Sequence, residues 1–380
     1  MVVFRLCNSV PRIVKQVHMR PMSAAMSTDK TVIATDHGDK GVITLNRPKA
    51  LNAINLDMVR QIYGHLKRWE DTKSAVIIKG VGDKSFCAGG DVRAVVEAGP
   101  TEESKAFFRE EYTLNALIGN YKIPYIALID GITMGGGVGL SVHGKYRVAT
   151  ERTMFAMPET QIGLFPDVGG SYFLPRLTGK LGLYLGLTGF RLKGEDVTKA
   201  GIATHYCNSD QLDKLEEALL SSSKDDIRQV LDKFNSCSSN EFVLAKDMDQ
   251  INKHFDKAGV DDIFESLQGE ENAWTQKTLQ TLRKMSPRSL KVTHQQLLFG
   301  ATLSLVDCLK MEYRMVVRFL EDSDFKEGVR ALLIDKDQNP KWVPPQVEQV
   351  TENQVNFYFG PLPAGEELKL PEENVVKSKL

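Results

Sequence analysis

The 380-residue sequence predicts an α/β protein in which buried strands alternate with amphipathic helices. Three short runs predict strands: a β-rich run at residues 41–45 and continuous apolar runs at 75–78 and 125–129. The two continuous runs have the content of strands that are buried on both faces. Segments with helical spacing separate these runs. The order strand, helix, strand, helix, strand indicates right-handed crossovers in a largely parallel sheet.

The first strand is predicted at residues 41–45 (GVITL), because the loop-forming sequence Asn-Arg-Pro follows it. The next helix is predicted to start after Asn55, whose side chain can cap it, and to continue through Glu70. Its apolar residues recur at helical spacing and should face the core: Met58, Val59, Ile62, Leu66 and Trp69.

An amphipathic helix is predicted at residues 107–118, before the third strand. From about residue 210 the sequence is charged and Ser-rich, and its apolar residues keep helical spacing without a strand-like run. The second half is therefore predicted to be mostly helical, with polar linkers near 221–226 and 235–241. A closing helix is expected over residues 322–342.

Composition excludes several classes of protein. Hydrophobic residues make up 42% and charged residues 26%, as in ordinary globular proteins. The formal charge of -1 provides no global basic field for nucleic acid. No apolar run approaches the ~20 residues that span a bilayer. The five cysteines follow no pairing or zinc-binding pattern, which is typical of a reduced intracellular protein.

Both ends of the chain resemble targeting signals. No acidic residue precedes Asp29, whereas Arg5 and Arg12 are among the basic residues interspersed there with apolar ones, as in a mitochondrial presequence. The C-terminal tripeptide at 378–380 (SKL) matches the peroxisomal signal. We expect the mitochondrial matrix, with the peroxisome as the alternative. The predicted divisions are a presequence at 1–28, an α/β core at 29–210, a helical region at 211–345 and an extension at 346–380.

Two glycine-rich turns are the strongest candidates for a ligand site. Residues 131–141 (GITMGGGVGLS) follow the third strand, and residues 86–91 (FCAGGD) follow the second. Glycine lets backbone N–H groups approach a ligand, so two such turns at one sheet edge can form an oxyanion hole. The spacing matches neither a dinucleotide fingerprint nor a Walker loop. The alternative is that these glycines only permit tight packing.

Two carboxylates lie in apolar sequence punctuated by glycine and proline, where a solvated side chain is not expected. Glu159 and Asp167 are therefore candidates for acid, base or nucleophile, and helix capping is the alternative. Cys87 is interpreted as a small buried residue, and Ser141 lacks the second glycine of a hydrolase elbow. No metal-binding spacing occurs, so we expect no metal.

These features together resemble the crotonase, or enoyl-CoA hydratase/isomerase, superfamily. Four ordered motifs carry the resemblance, and a later segment at 324–331 (DFKEGVRA) is similar to its C-terminal helical signature. The resemblance implies a spiral of ββα units with a helical C-terminal part, in which the Gly90 and Gly136 amides hold the thioester oxygen of an acyl-CoA. The motifs are NRPKALNA at 46–53, FCAGGD at 86–91, the loop at 135–137 and MPE at 157–159.

Gly139 departs from the hydratases of this family, which carry a glutamate there and a second one at the position of Glu159. Residues 134–144 and 163–170 instead resemble the branch that hydrolyses the thioester of 3-hydroxyisobutyryl-CoA in valine degradation. That resemblance implies Glu159 as the reacting carboxylate. The other residues that we assign to substrate binding or catalysis are Gly90, Gly136, Asp167, Glu111, Ala88 and Asp91.

Within these assignments, Asp167 would hydrogen-bond the substrate hydroxyl or protonate the leaving thiolate, while Glu111 would line the pocket. We expect no cofactor, since CoA is part of the substrate, a small-molecule partner, no nucleic acid, no membrane span and a possible homo-oligomer. One alternative is a hydratase or isomerase with the same fold. Another is a non-catalytic RNA-binding member, which would need a more basic surface helix than residues 64–69.

Overall fold

Strands of the computed structural model, which describes residues 30–370, form two sheets. The larger sheet has the order β1-β2-β3-β5-β7-β10 and the smaller one β4-β6-β8-β9. The predicted presequence and the tripeptide at 378–380 lie outside the described residues. The strands are β1 (Val32–His37), β2 (Lys40–Leu45), β3 (Ala75–Gly80), β4 (Ser85–Cys87), β5 (Tyr125–Ile129), β6 (Ile132–Met134), β7 (Tyr146–Ala149), β8 (Met154–Ala156), β9 (Leu192–Lys193) and β10 (His205–Tyr206).

The helices of the described residues follow these strands and then occupy most of the second half. They are α1 (Leu56–Trp69), α2 (Val92–Ala98), α3 (Glu102–Gly119), α4 (Gly136–Gly139), α5 (Gly170–Phe173), α6 (Leu181–Thr188), α7 (Asp196–Lys199), α8 (Leu212–Ser221), α9 (Ile227–Phe234), α10 (Met248–Phe255), α11 (Val260–Gln268), α12 (Ala273–Leu282), α13 (Pro287–Gly300), α14 (Leu305–Glu321), α15 (Ser323–Val329) and α16 (Glu352–Phe359).

From β3 to β8, consecutive strands alternate between the two sheets, and a helix follows each pair. Strand β3 lies in the larger sheet and β4 in the smaller, before α2; β5 and β6 repeat this arrangement before α4, and β7 and β8 before α5. Strands of successive units pair in parallel: β3 with β5 and β5 with β7 in the larger sheet, and β4 with β6 and β6 with β8 in the smaller one. By contrast, β1 pairs with β2, and β8 with β9, in antiparallel orientation. This is the spiral of ββα units that the family resemblance implies.

Strand β5 shows why the apolar runs are continuous. All five of its residues are buried, and alternate side chains enter two different apolar clusters. Ile126 and Leu128 pack in the cluster that contains Leu215 of α8 and Leu231 of α9, while Ala127 belongs to the main core. A strand with both faces covered has no polar face, so the predicted burial is confirmed.

The predicted start of α1 is confirmed by its cap. The Asn55 side chain accepts a hydrogen bond from the Met58 amide at 3.0 Å, satisfying a donor that the first helical turn leaves unpaired. The helix ends at Trp69, with Glu70 as its C-cap. All five apolar residues that were predicted to face the core are buried.

The second half is helical as predicted, with two differences near its end. The closing helix does not continue to residue 342: α15 ends at Val329, a π-helical turn covers Arg330–Ile334, and Trp342 follows in irregular chain. Within the predicted extension, α16 packs Val355 and Tyr358 into the main core. None of the described helices is both long and apolar enough to cross a bilayer.

Candidate active site

Two glycine turns lie side by side where β4 and β6 end. These three-residue strands are parallel neighbours in the smaller sheet. The sequence had suggested that the turns directly follow β3 and β5, but β4 and β6 lie in between. A Cβ atom built on Gly136 would lie 3.1 Å from the Gly90 nitrogen. The predicted meeting of two backbone-donor turns at one sheet edge is therefore observed, on strands too short to be recognised by pattern.

The hydrogen bonds that hold these turns use other amides. Ile54 pairs with the first turn, donating to the Gly89 carbonyl at 2.9 Å and accepting from the Asp91 amide at 2.8 Å. Within residues 30–370, the Gly90 and Gly136 N–H groups take no part in these turn contacts. Both amides are therefore available to donate to an oxygen placed between them.

Three carboxyl groups surround the glycine turns. Glu111, on α3, is 2% exposed, and Glu159 and Asp167 are each 5% exposed. An added Cβ on Gly136 would lie 2.6 Å from Glu111 Oε1, and one on Gly135 would lie 3.0 Å from Glu159 Oε1. One oxygen each of Glu111 and Glu159 is buried without a hydrogen-bond partner among the described residues. The three predicted acidic residues are thus brought together.

The environment raises the pKa of every member of this cluster. Burial raises the pKa of Glu159 and of Glu111 well above the usual range, and the charge of Asp167 raises both further. Burial raises the pKa of Asp167 to about 7. The Tyr112 hydroxyl, which donates to Asp167 Oδ2 at 2.8 Å, acts in the opposite direction and lowers this pKa. An acid with a pKa of about 7, as Asp167 has, exchanges protons near neutral pH, as acid–base catalysis requires.

These shifts make the stability of the protein depend on pH. The pKa of Glu111 is higher in the folded state than in the unfolded state, so above pH ~4.3 the folded protein binds more protons than the unfolded chain. The free energy of unfolding therefore falls as pH rises towards the pKa of Glu111 in the folded state. Glu111→Gln removes this penalty. We expect its melting temperature to exceed that of the wild type at pH 8 but not at pH 4.5, which thermal unfolding at several pH values measures. An equal difference at all pH values would contradict the prediction.

Three residues that the sequence did not predict contact the segment around Asp167: Tyr112, His143 and Glu312. His143 Nε2 lies 2.7 Å from the Val168 carbonyl, and burial lowers its pKa to about 4, so the neutral ring donates there. Glu312, on α14, accepts from the Gly169 amide at 2.7 Å. The only sequence signal for Glu312 is an acidic residue on the apolar face of a helix.

Other predicted residues have structural partners. Asp91 pairs with Arg47 at 3.0 Å and caps α2, and the Ala88 amide donates to the Leu51 carbonyl at 3.0 Å. Their assignment to substrate binding stays a prediction. Cys87 is buried, and burial raises the pKa of its thiol to about 12, so it is not a thiolate at neutral pH.

The two alternative roles considered for Asp167 and Ser141 are not observed. Helix α5 begins at Gly170 and has no side-chain cap, so Asp167 does not act as a capping residue there. The Ser141 hydroxyl is buried and donates to the Gly137 carbonyl at 2.9 Å, as a helical serine does. The arrangement therefore favours a carboxylate as the reacting group.

Gly139 leaves no room for a second catalytic glutamate. An added Cβ would lie 2.7 Å from the Val168 Cβ and 2.8 Å from Asn115 Nδ2. Contacts under 3.0 Å to a packed β-branched side chain require the surrounding backbone to move. The position at which the family's hydratases carry their first glutamate is occupied here by neighbouring side chains.

A surface cavity of about 600 Å³ lies outside this cluster, between α1, α3 and residues 365–369. Its lining includes Arg60, Tyr63 and Arg109 but none of Glu111, Glu159 or Asp167. We locate the chemistry at the carboxyl cluster rather than in this cavity, because the cluster combines buried acids with adjacent backbone donors.

The chain is similar to known proteins over most of its length. The family model for enoyl-CoA hydratase/isomerase matches residues 40–359. A Xenopus laevis protein named "3-hydroxyisobutyryl-CoA hydrolase, mitochondrial" is 56% identical over 93% of this chain and 94% of its own length. The Homo sapiens protein of the same name is 51% identical over the same shares of the two chains.

Solved structures show the same fold. A carnitinyl-CoA dehydratase from Mycobacterium thermoresistibile superposes with a TM-score of 0.84 and 37% identity, covering 90% of this chain and 99% of its own. An enoyl-CoA hydratase from Rhodobacter sphaeroides gives a TM-score of 0.82 and 33% identity, covering 90% and 100%. By its sequence motifs, its spiral of ββα units and these matches, the chain belongs to the enoyl-CoA hydratase/isomerase family.

Proposed function

We propose that this protein hydrolyses the thioester of 3-hydroxyisobutyryl-CoA to the free acid and CoA, a step of valine degradation. The observation that carries the proposal is the site itself: two glycine amides beside Glu159, with Gly139 where a hydratase needs its other glutamate. The Xenopus laevis and Homo sapiens relatives, 56% and 51% identical to this chain, carry the name of that hydrolase. Other short 3-hydroxyacyl-CoA thioesters fit the same chemistry.

In this reaction the thioester oxygen binds between the Gly90 and Gly136 amides. Attack on the thioester carbon moves negative charge onto that oxygen, and donors already in place stabilise the charge without reorganisation. The surrounding side chains exclude water, which strengthens these hydrogen bonds. The glycine turns therefore supply the electrostatic part of catalysis.

Glu159 supplies the reacting carboxylate beside this oxyanion hole. It either attacks the thioester carbon, forming a mixed anhydride that water then hydrolyses, or removes a proton from the attacking water. Both routes use the ionised form of Glu159. Asp167, with its pKa of about 7, is suited to bond the substrate hydroxyl or to protonate the departing thiolate, while Glu111 lines the pocket beside Gly136.

Asp167→Asn separates the two roles of Asp167. If Asp167 binds the substrate hydroxyl, we expect KM for 3-hydroxyisobutyryl-CoA to rise, with a smaller change for isobutyryl-CoA, which lacks the hydroxyl. If it protonates the thiolate, kcat should fall for both substrates by ~10²-fold or more. Steady-state release of free thiol measures both constants. Unchanged constants for both substrates would exclude Asp167 from the reaction.

The discriminating experiment compares thioester and alkene chemistry. Purified protein is incubated with 3-hydroxyisobutyryl-CoA while free thiol is followed, and with crotonyl-CoA while loss of the alkene is followed. We expect release of CoA and negligible hydration, because Gly139 stands where the family's hydratases carry the other glutamate that activates the water. Faster hydration of crotonyl-CoA would instead support the alternative, a hydratase or isomerase.

For location, we propose the mitochondrion, and more specifically the matrix. The curated relatives are named mitochondrial, and residues before Asp29 have the basic, acid-free composition of a presequence. The tripeptide at 378–380 keeps the peroxisome as the alternative. We also propose that no cofactor beyond the CoA of the substrate takes part and that the chain forms a homo-oligomer, as many family members do.

A further inference from the structure

Glu312 on α14 binds the loop that carries Asp167. Its side chain is fully buried, and both of its oxygens accept hydrogen bonds from the loop. Oε2 accepts from the Gly169 amide at 2.7 Å, while Oε1 accepts from the Ser171 amide at 2.9 Å and from the Ser171 hydroxyl at 2.6 Å. With three protein donors on its two oxygens, this buried carboxyl group holds the segment in place.

The loop needs such support because its backbone is strained. Val168 has φ of 50° and Gly169 has φ of 86°, so two consecutive residues are in the left-handed region. Glycine adopts this region freely, but a β-branched residue such as valine does not. Strained residues of this kind persist only where the surrounding structure fixes them.

Three other side chains also form hydrogen bonds with the loop. Gln296 Nε2 donates to the Pro166 carbonyl at 2.6 Å, and His143 Nε2 contacts the Val168 carbonyl at 2.7 Å. The Tyr112 hydroxyl holds the Asp167 carboxylate itself at 2.8 Å. Among these contacts, those of Glu312 fix the amide of the left-handed residue Gly169 and the amide of Ser171, two residues later.

We propose that Glu312 is a positioning residue that sets the direction of the Asp167 carboxyl group by holding the strained turn behind it. The inference builds on the proposed thioester hydrolysis and assigns part of the active-site geometry to the helical C-terminal region. Glutamine cannot replace the carboxylate, because one of its two ends is an NH₂ group that would face either the Gly169 or the Ser171 amide.

A double-mutant cycle tests the proposal by activity. Glu312→Gln, Asp167→Asn and the double variant are compared in kcat/KM for 3-hydroxyisobutyryl-CoA. We expect Glu312→Gln alone to lose ~10- to 100-fold, because small displacements of a reacting group are costly. The double variant should be no worse than Asp167→Asn within about threefold, since coupled residues are not additive. Fully multiplicative losses would overturn the proposal.

The matched control is Asp322→Asn, at another buried carboxylate of the C-terminal region. Asp322 binds Arg288 and Tyr358 rather than the Asp167 loop. Its loss should lower the melting temperature, and its effect on kcat/KM should multiply with that of Asp167→Asn. Should Glu312→Gln fail to fold, Ser171→Ala removes one of the three hydrogen bonds and takes its place in the cycle.

Hydrogen exchange provides a readout that does not depend on activity. In the full-length chain, Glu312→Gln should accelerate exchange of the Gly169 and Ser171 amides by at least ~10-fold, whereas Asp322→Asn should not. Unchanged exchange at these amides would overturn the proposal even if the protein proved to have another activity. If the wild type released no CoA while Glu312→Gln still accelerated exchange, only the proposed function would fail.

Discussion

Glu159→Gln should lower kcat for thioester hydrolysis by ~10²- to 10⁴-fold, the range attributed to a positioned general base, or by more if the carboxylate is the nucleophile. Glutamine preserves the size of the side chain but has neither basicity nor nucleophilicity. Substrate binding should be largely retained, since the Gly90 and Gly136 amides are unchanged. Titration with a non-hydrolysable thioether analogue measures that binding separately from turnover.

The pH profile gives the same prediction a second test. Burial and the Asp167 charge raise the pKa of Glu159, so its ionised form increases as pH rises, and wild-type turnover should increase with it. The small residual activity of Glu159→Gln should lack this rise. Glu110→Gln is the matched control, because Glu110 lies on the same helix as Glu111 but pairs with Arg60 outside the cluster. Near-native turnover of Glu159→Gln would exchange the roles of Glu159 and Asp167.

The sequence predicted the parts of the fold that have strong local patterns. Strand β2 was visible because a loop-forming sequence ends its β-rich run, and β3 and β5 because both of their faces are buried. Helix α1 was visible because its cap and apolar stripe agree. Strands β4 and β6 were not visible, because three residues contain too little periodicity to be read. Their pairing nonetheless decides where the two glycine turns meet.

The residues of the candidate site likewise include some that the sequence predicted and some that it did not. Glu159 and Asp167 could be recognised because polar acids are out of place in apolar, glycine-rich sequence. Tyr112 and Glu312 could not, because their partners are 55 and 143 residues away and no local pattern encodes such contacts. The sequence therefore identified the groups proposed to react, while the residues that hold them in place could be identified only in the folded structure.

Gly136→Pro should reduce kcat by ~10²- to 10³-fold, which corresponds to ~2.7–4 kcal/mol of lost oxyanion stabilisation. Proline has no N–H and tolerates the first position of a helix, which Gly136 occupies in α4. The backbone of α4 can therefore remain while the donor is lost. Circular dichroism and thermal unfolding check that the variant is folded.

Gly136→Ala separates loss of the donor from added bulk, because alanine keeps the N–H. Its Cβ would lie 2.6 Å from Glu111 Oε1, so some loss is expected, and the further loss in Gly136→Pro measures the donor. Gly64→Ala is the control, since nothing lies within 4 Å of its Cβ: activity should be unchanged and stability ~0.5–1 kcal/mol higher. A folded Gly136→Pro with the turnover of Gly136→Ala would show that this amide does not stabilise the transition state.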